Sequence, residues 1–191
     1  MAITLRQAHY RDWRELSNLV PAIFSELTDD DVSDMLRNKL HTVGIAAIPD
    51  AIIGFYQFHS VAREDIPTAW LNYIGVVESS RHSGAGSQLL QYFEDRVRAM
   101  GFLRIELDVL EEKIAAQMFY EKHGYRHLEL RQKSGKTKYR YAKNIPAATG
   151  LTGVDTTVNP LPLLTRVQRK LLYKLLVDVP NALGLPGHHS R

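Results

Sequence analysis

WLNYIGVVESSRHSGAGSQLLQYFEDRVRAMGFLRIELDVLEEKIAAQMFYEKHGY, residues 70–125, decides the fold. It reads as strand, glycine turn, amphipathic helix, strand and short helix. Arg81, Gly84 and Gly86 stand at its centre with R-x-x-G-x-G spacing, directly after one strand and directly before a helix. Glycines let a backbone turn sharply and come close to a ligand. The amides of such a turn, and of the first helical turn, have no intrahelical partner. With the helix dipole they form a site for a phosphate or pyrophosphate. A short glycine motif alone is weak evidence, and the flanking elements strengthen it.

Outward from this stretch, the pattern extends both ways. Ile3 to Ala8 alternates as a first strand, and Asp12 to Phe24 carries a helical apolar face of Trp13, Leu16, Leu19, Val20 and Ile23. A second helix starts at Thr28 or Asp29, either of which can cap it, and buries Val32, Met35, Leu36 and Leu40. Gly44–Ile48 and Ala51–His59 form a hairpin around Pro49-Asp50, and Arg63–Thr68 reads as a polar loop. After the glycine turn, the helix buries Leu89, Leu90, Phe93, Val97 and Met100 and stops at Gly101. Leu103–Val109 is a strand and Lys113–Lys122 a short helix. Tyr125–Arg131 and Lys136–Lys143 are a last hairpin turning at Ser134-Gly135. The order β-α-α-β-β-β-α-β-α-β-β predicts an α/β (α+β) domain with a mixed, mostly antiparallel sheet flanked by helices.

The chain has 191 residues, 45% of them hydrophobic, enough for one core with an appendage. It contains no cysteine, which removes disulfides, thiolate metal sites and a cysteine nucleophile. No leader-like apolar run opens the sequence and no 18-residue apolar stretch occurs, which points to the cytoplasm. The net charge of +3 sits in the tail: Arg166, Arg169, Lys170 and Lys174 against Asp178. The remainder is close to neutral, so nucleic-acid binding is not expected. Residues 1–144 read as the domain and 145–162 as a linker. Residues 163–191 read as an amphipathic helix, 163–179, with a loose end. Three roles compete for that helix: packing on its own domain or on a sister copy in a homodimer, lying on an anionic membrane surface, or docking a partner protein.

This order and these motifs resemble the GCN5-related N-acetyltransferase (GNAT) family. The resemblance rests on Val76 at a strand end, on Arg81-His82-Ser83-Gly84-Ala85-Gly86, and on Phe119-Tyr120-Glu121-Lys122-His123-Gly124-Tyr125. It covers residues 3–144 in element order and is specific over 70–125; the tail has no counterpart in it. It implies acetyl-CoA as co-substrate, with the pyrophosphate on the amides from His82 to Ser87. The pantetheine arm would pair with backbone at Ile74, Gly75 and Val76, where the Trp70 and Leu103 strands splay apart. Lys113 and Ala116 belong to the same implied cofactor contacts. Lys113 stands where many members carry an asparagine, and could reach a phosphate instead. An amide near Val76 would hold the thioester oxygen. The resemblance implies Tyr120 as general acid toward the leaving thiolate.

The general base is open. The matching strand start is Trp70, which cannot serve, and Glu78, Glu106 and Asp108 are candidates, directly or through water. Each also reads as a solvated acid at a strand end. Asp29, Asp30, Asp31 and Asp34 would either rim an acceptor groove for a cationic amine or only cap a helix. The eight histidines show no metal spacing, and no metal is expected. No G-x-S-x-G elbow is present, and the G-x-G lacks the third glycine of a dinucleotide fold. The expected function is direct acetyl transfer to a primary amine, on a small molecule or a peptide. The rival is a catalytically silent acyl-CoA-binding module.

Overall fold

The computed structural model describes residues 2–63, 66–133 and 135–146. The expectations for residues 147–191, including the tail helix, lie outside the described residues. Seven strands form one sheet in the order β1-β2-β3-β4-β5-β7-β6. They are β1 (Thr4–Gln7), β2 (Val43–Ile48), β3 (Ala51–Arg63), β4 (Ile66–Val76), β5 (Arg104–Leu110), β6 (Arg126–Lys133) and β7 (Lys136–Asn144). Every pairing is antiparallel except β4 with β5. That one parallel pair needs a crossover, which α3 (Ala85–Ala99) supplies.

Two apolar clusters hold the sheet's faces. On one, α1 (Trp13–Ile23) and α2 (Asp29–Asn38) bury Leu16, Val20, Met35 and Leu36 against Val43, Ile45 and Phe55. On the other, α3 buries Leu89, Leu90, Phe93 and Val97 against Tyr56, Phe58, Leu71 and Ile105. Helix α4 (Ile114–Lys122) adds Phe119 and Tyr120 to this second cluster. These faces are those the 3.6-residue period predicts, with one correction: Met100, expected to be buried, lies past the last residue of α3 and is exposed. Thr28 is the cap of α2, closing a capping box: its hydroxyl accepts from the Asp31 amide, and the Asp31 carboxylate accepts from the Thr28 amide.

The expected polar loop at residues 63–68 is corrected. Strand β3 runs on to Arg63 and β4 begins at Ile66, with Arg63 opposite Ile66. One of the polar residues that suggest a loop has a partner in the sheet. Arg63 reaches across the sheet face to Glu106, at 2.9 Å.

Two features of β4 position the site. Its parallel pairing with β5 covers only Thr68, Ala69 and Trp70, opposite Arg104, Ile105 and Glu106. From Leu71 to Val76, β4 is laddered on its β3 side alone, so alternate backbone groups face the gap toward β5. The expected splay is therefore present. The second feature is a bulge. Gln57 pairs with Tyr73 and Phe58 with Leu71, which leaves Asn72 as the extra residue at the point where β5 departs.

Candidate active site

The glycine turn follows β4 through a short 3-10 turn, Glu78–Ser80. Gly84 has φ 86°, a left-handed value that favours glycine, and caps α3. His82 has φ 62°, also left-handed, without the glycine's freedom. The Ser83 hydroxyl donates to the Ser80 carbonyl at 2.7 Å and accepts from the Ala85 amide at 3.3 Å. Among the described residues, the amides of His82, Ser83, Gly84, Gly86 and Ser87 make no hydrogen bond. Those five donors, together with the positive end of α3, make an anion cradle. Ala85 is the one expected member whose amide is already engaged, and its methyl is buried in the core. Gly86 differs from Gly84: a Cβ there would meet only the Phe119 ring at 3.9 Å, an ordinary contact. The chain itself does not require glycine at 86. Beyond that ring, the space around a Cβ at 86 is open.

Arg81 is exposed and lies 3.9 Å from the Glu78 carboxylate, a weak surface pair. Lys113 is the residue before α4, exposed, with no side-chain partner among the described residues. The Ser87 hydroxyl sits 3.1 Å from His123 Nε2, while His123 Nδ1 lies 2.7 Å from the Phe119 carbonyl oxygen. The carbonyl can only accept, so Nδ1 carries the proton and Nε2 accepts from Ser87. This bond ties α4 to the first turn of α3. The sequence reading had missed it, and an i, i+4 histidine at a helix end was its only signal.

Tyr120 is buried at 8% exposure, amid the rings of Phe119, Tyr125 and Tyr141. Burial raises its pKa well above the ordinary phenol value, so it stays neutral. Its hydroxyl makes no hydrogen bond among the described residues, so its proton is uncommitted. Ala116, one turn earlier on α4, packs on the same cluster as Ile74 and Val76.

The three candidate bases are not brought together. Glu106 is 1% exposed and lies between Arg63 and Arg104, each at 2.9 Å. Its Oε2 and both guanidinium Nε atoms lack a well-aligned hydrogen bond, so this is a charge cluster more than a bonded fork. The Trp70 ring lies between the Arg63 and Arg140 guanidinium groups, at 5.4 and 4.6 Å. Asp108 accepts from Arg140 at 3.0 and 3.4 Å. Glu78 is exposed at the entrance to the glycine turn. Neither Glu106 nor Asp108 stands free to take a proton from an amine.

Where β4 and β5 part, a cleft of about 420 Å³ opens on the α2 side. Leu27, Asp31, Asp34, Lys39, His59, Asn72 and Tyr73 line it, over Gln57 and Met35. Asp31 and Asp34 therefore face the cleft, whereas Asp29 and Asp30 do not line it. Asp31 is held below the ordinary carboxylate range by its bonds to Thr28. Gly75 lets α1 close on this end of β4: a Cβ there would fall 2.5 Å from Ile23 and 3.2 Å from the Phe24 ring. His59, Asn72 and Gln57 were not singled out from the sequence, because the bulge that aims Asn72 into the cleft has no local signature.

An open parallel pair stands beside a helix turn with unpaired amides, with a neutral phenol behind it. The profile described as the Acetyltransferase (GNAT) family matches residues 5–125, more than half of the chain, and the protein belongs to that family. Ard1 from Thermoplasma volcanium has the same fold: TM-score 0.65, 20% identity, covering 76% of this chain and 99% of that one. Naa50 of Arabidopsis thaliana, in complex with the bisubstrate analogue CoA-Ac-MVNAL, gives TM-score 0.64 at 20% identity, covering 76% and 100%. The PaiA N-acetyltransferase of Thermoplasma acidophilum, in complex with coenzyme A, gives 0.59 at 17% identity, covering 76% and 100%. No curated protein matches the chain.

Proposed function

We propose that this protein transfers the acetyl group of acetyl-CoA to a primary amine by direct attack. The observation that carries the reading is the set of five unpartnered amides at His82, Ser83, Gly84, Gly86 and Ser87, placed beside the open edge of β4. These groups fit a pyrophosphate and an extended amide-bearing arm, with Ile74, Gly75 and Val76 offering the strand edge. Arg81 and Lys113 would add charge at the phosphates. The amine would enter through the cleft lined by Asp31, Asn72 and Tyr73.

In the transfer, the amine nitrogen bonds to the thioester carbon and the carbon–sulfur bond breaks. The departing thiolate belongs to a thiol of pKa near 8.5, and a phenol is about 10 even before burial raises it. Tyr120 is thus a weaker acid than the thiol it would protonate. Its role is to donate a hydrogen bond to the sulfur as charge develops there, and the released thiolate takes its proton from solvent. With Glu106 and Asp108 held by arginines, we assign the amine's proton to water in the open cleft. Positioning then supplies most of the acceleration.

The test is thiol release from acetyl-CoA over a panel of amines. Tyr120→Phe should lower kcat by roughly a hundredfold or more and hardly change acetyl-CoA affinity. If the unaltered protein binds acetyl-CoA but acetylates no amine, the binding-module reading replaces this one.

A further inference from the structure

The cleft floor carries a hydrogen-bonded chain whose direction can be deduced from one backbone carbonyl. Gln57 is 2% exposed. Its amide nitrogen lies 2.8 Å from the Phe58 carbonyl oxygen and 3.1 Å from the Thr42 hydroxyl oxygen. Thr42 gives its own hydrogen to the Lys39 carbonyl at 2.7 Å. Both neighbours are therefore acceptors, and only the NH₂ end of Gln57 satisfies them. Its oxygen must then point the other way, where Asn72 Nδ2 sits at 2.6 Å. The same Asn72 nitrogen is 2.9 Å from His59 Nδ1. Turning Asn72 over would place two amide oxygens in contact, so its NH₂ donates one hydrogen to Gln57 and the other to His59.

His59 Nδ1 is consequently a lone-pair acceptor, and the proton of the neutral ring is on Nε2. We propose that the Phe58 carbonyl, acting through Gln57 and Asn72, locks His59 as the Nε2–H tautomer, a hydrogen-bond donor that selects acceptor amines bearing a nearby carbonyl or carboxylate oxygen. The proposal rests on the reading of the cleft as the acceptor side. Gln57 and Asn72 are positioning residues, and His59 is the specificity-determining one. A simple diamine brings no carbonyl oxygen for this donor and leaves it to water. An α-amino amide or a peptide N-terminus brings the matching oxygen. The lock also opposes a role for His59 as a base, since its one ring lone pair, on Nδ1, already accepts from Asn72.

The groups around the ring agree. The net shift of the His59 pKa is downward: burial lowers it most, the Asn72 contact works against that, and Lys39, just past the end of α2, lowers it too. Asp34 from α2 is paired to that lysine, and Asp31 is tied up in the cap of α2. From β4, the uncharged Trp70 and Tyr73 are its neighbours.

Two measurements on the full chain decide this. Long-range nitrogen–proton correlation spectra of the histidine rings should show His59 as Nε2–H near neutral pH. Asn72→Asp places a carboxylate at Nδ1 and should move the proton there and raise the titration point. A wild-type ring found as Nδ1–H, or as imidazolium, overturns the lock. In the second, the ratio of kcat/KM for alanine amide over 1,3-diaminopropane should fall about tenfold in His59→Ala, the size of one hydrogen bond. The loss should be mainly in KM, and His59→Gln, which keeps a donor, should restore it. An unchanged ratio overturns the selective role. Absence of turnover with every amine would sink the acyl-transfer reading and the selectivity together, while the tautomer is judged by the spectra alone.

Discussion

Replacing Gly86 by alanine separates what the fold needs from what the ligand needs. Gly86 is the second residue of α3 and is not among the glycines with positive φ. A Cβ there meets the Phe119 ring at 3.9 Å and nothing closer. Alanine should therefore fit and stabilise the helix by about 0.5–1 kcal/mol. For a chain of this size that raises Tm by roughly 1–4 °C. Where the acyl carrier takes the open space beside that methyl, overpacking should cost about 1–3 kcal/mol, or roughly fivefold to 150-fold in affinity. Gly84→Ala should behave oppositely in stability. Its φ of 86° strains any side chain, although its nearest neighbour, Gln88, is 3.9 Å away. It should lose about 1–2 kcal/mol from the backbone alone. Thermal melts and calorimetric titration with acetyl-CoA measure both effects. A Gly86→Ala variant that melts lower, or that binds acetyl-CoA as tightly as before, would refute the reasoning.

Glu106→Gln should cost roughly 3–5 kcal/mol in urea unfolding, because it leaves Arg63 and Arg104 facing each other without the buried acid between them. Asp108→Asn should leave the pH profile of kcat/KM unmoved, whereas a catalytic base at 108 would erase its acidic limb. At the alkaline end, burial pushes Tyr56 up to about 12 and also raises Tyr120 and Tyr125. A raised folded-state pKa means stability is whole below the unfolded value near 10 and falls as pH climbs toward the folded one. Tyr56 alone should remove on the order of 2 kcal/mol as pH rises through that interval, visible as tyrosinate absorbance rising with unfolding. At the acid end, Arg6 holds Asp12 below the ordinary carboxylate range through bonds of 2.6 and 2.7 Å. That contribution is present above the unfolded pKa and lost as pH falls through the folded one. Asp12→Asn should flatten that part of the stability curve.

Local signals carried most of the fold. The period of α1, α2 and α3, the Thr28 cap and the two short hairpins are each set by neighbours in sequence, and each stands where the pattern puts it except Met100, which falls past the end of α3 and faces solvent. The Arg63–Thr68 segment misled because Arg63 answers to Glu106, about forty positions along the chain, and the Thr68 hydroxyl to the Ile66 carbonyl. The glycine turn was legible because a left-handed Gly84 and a helix start leave a local mark. The cleft was not. Gln57, His59 and Asn72 meet only through the β3–β4 register, and the Asn72 bulge depends on that pairing. Glu106 and Asp108 could be named as acids from the sequence. Their arginine partners come from other strands, so no linear pattern shows that they are occupied.

The central claim is that a bare main-chain turn holds the acyl carrier. Amide spectra of the labelled protein, recorded during titration with coenzyme A, test it most directly. The account predicts saturable shifts at His82, Ser83, Gly84, Gly86 and Ser87, with smaller ones at Ile74 to Val76. Saturable binding that leaves those five amides unmoved, or no binding at all, would contradict it.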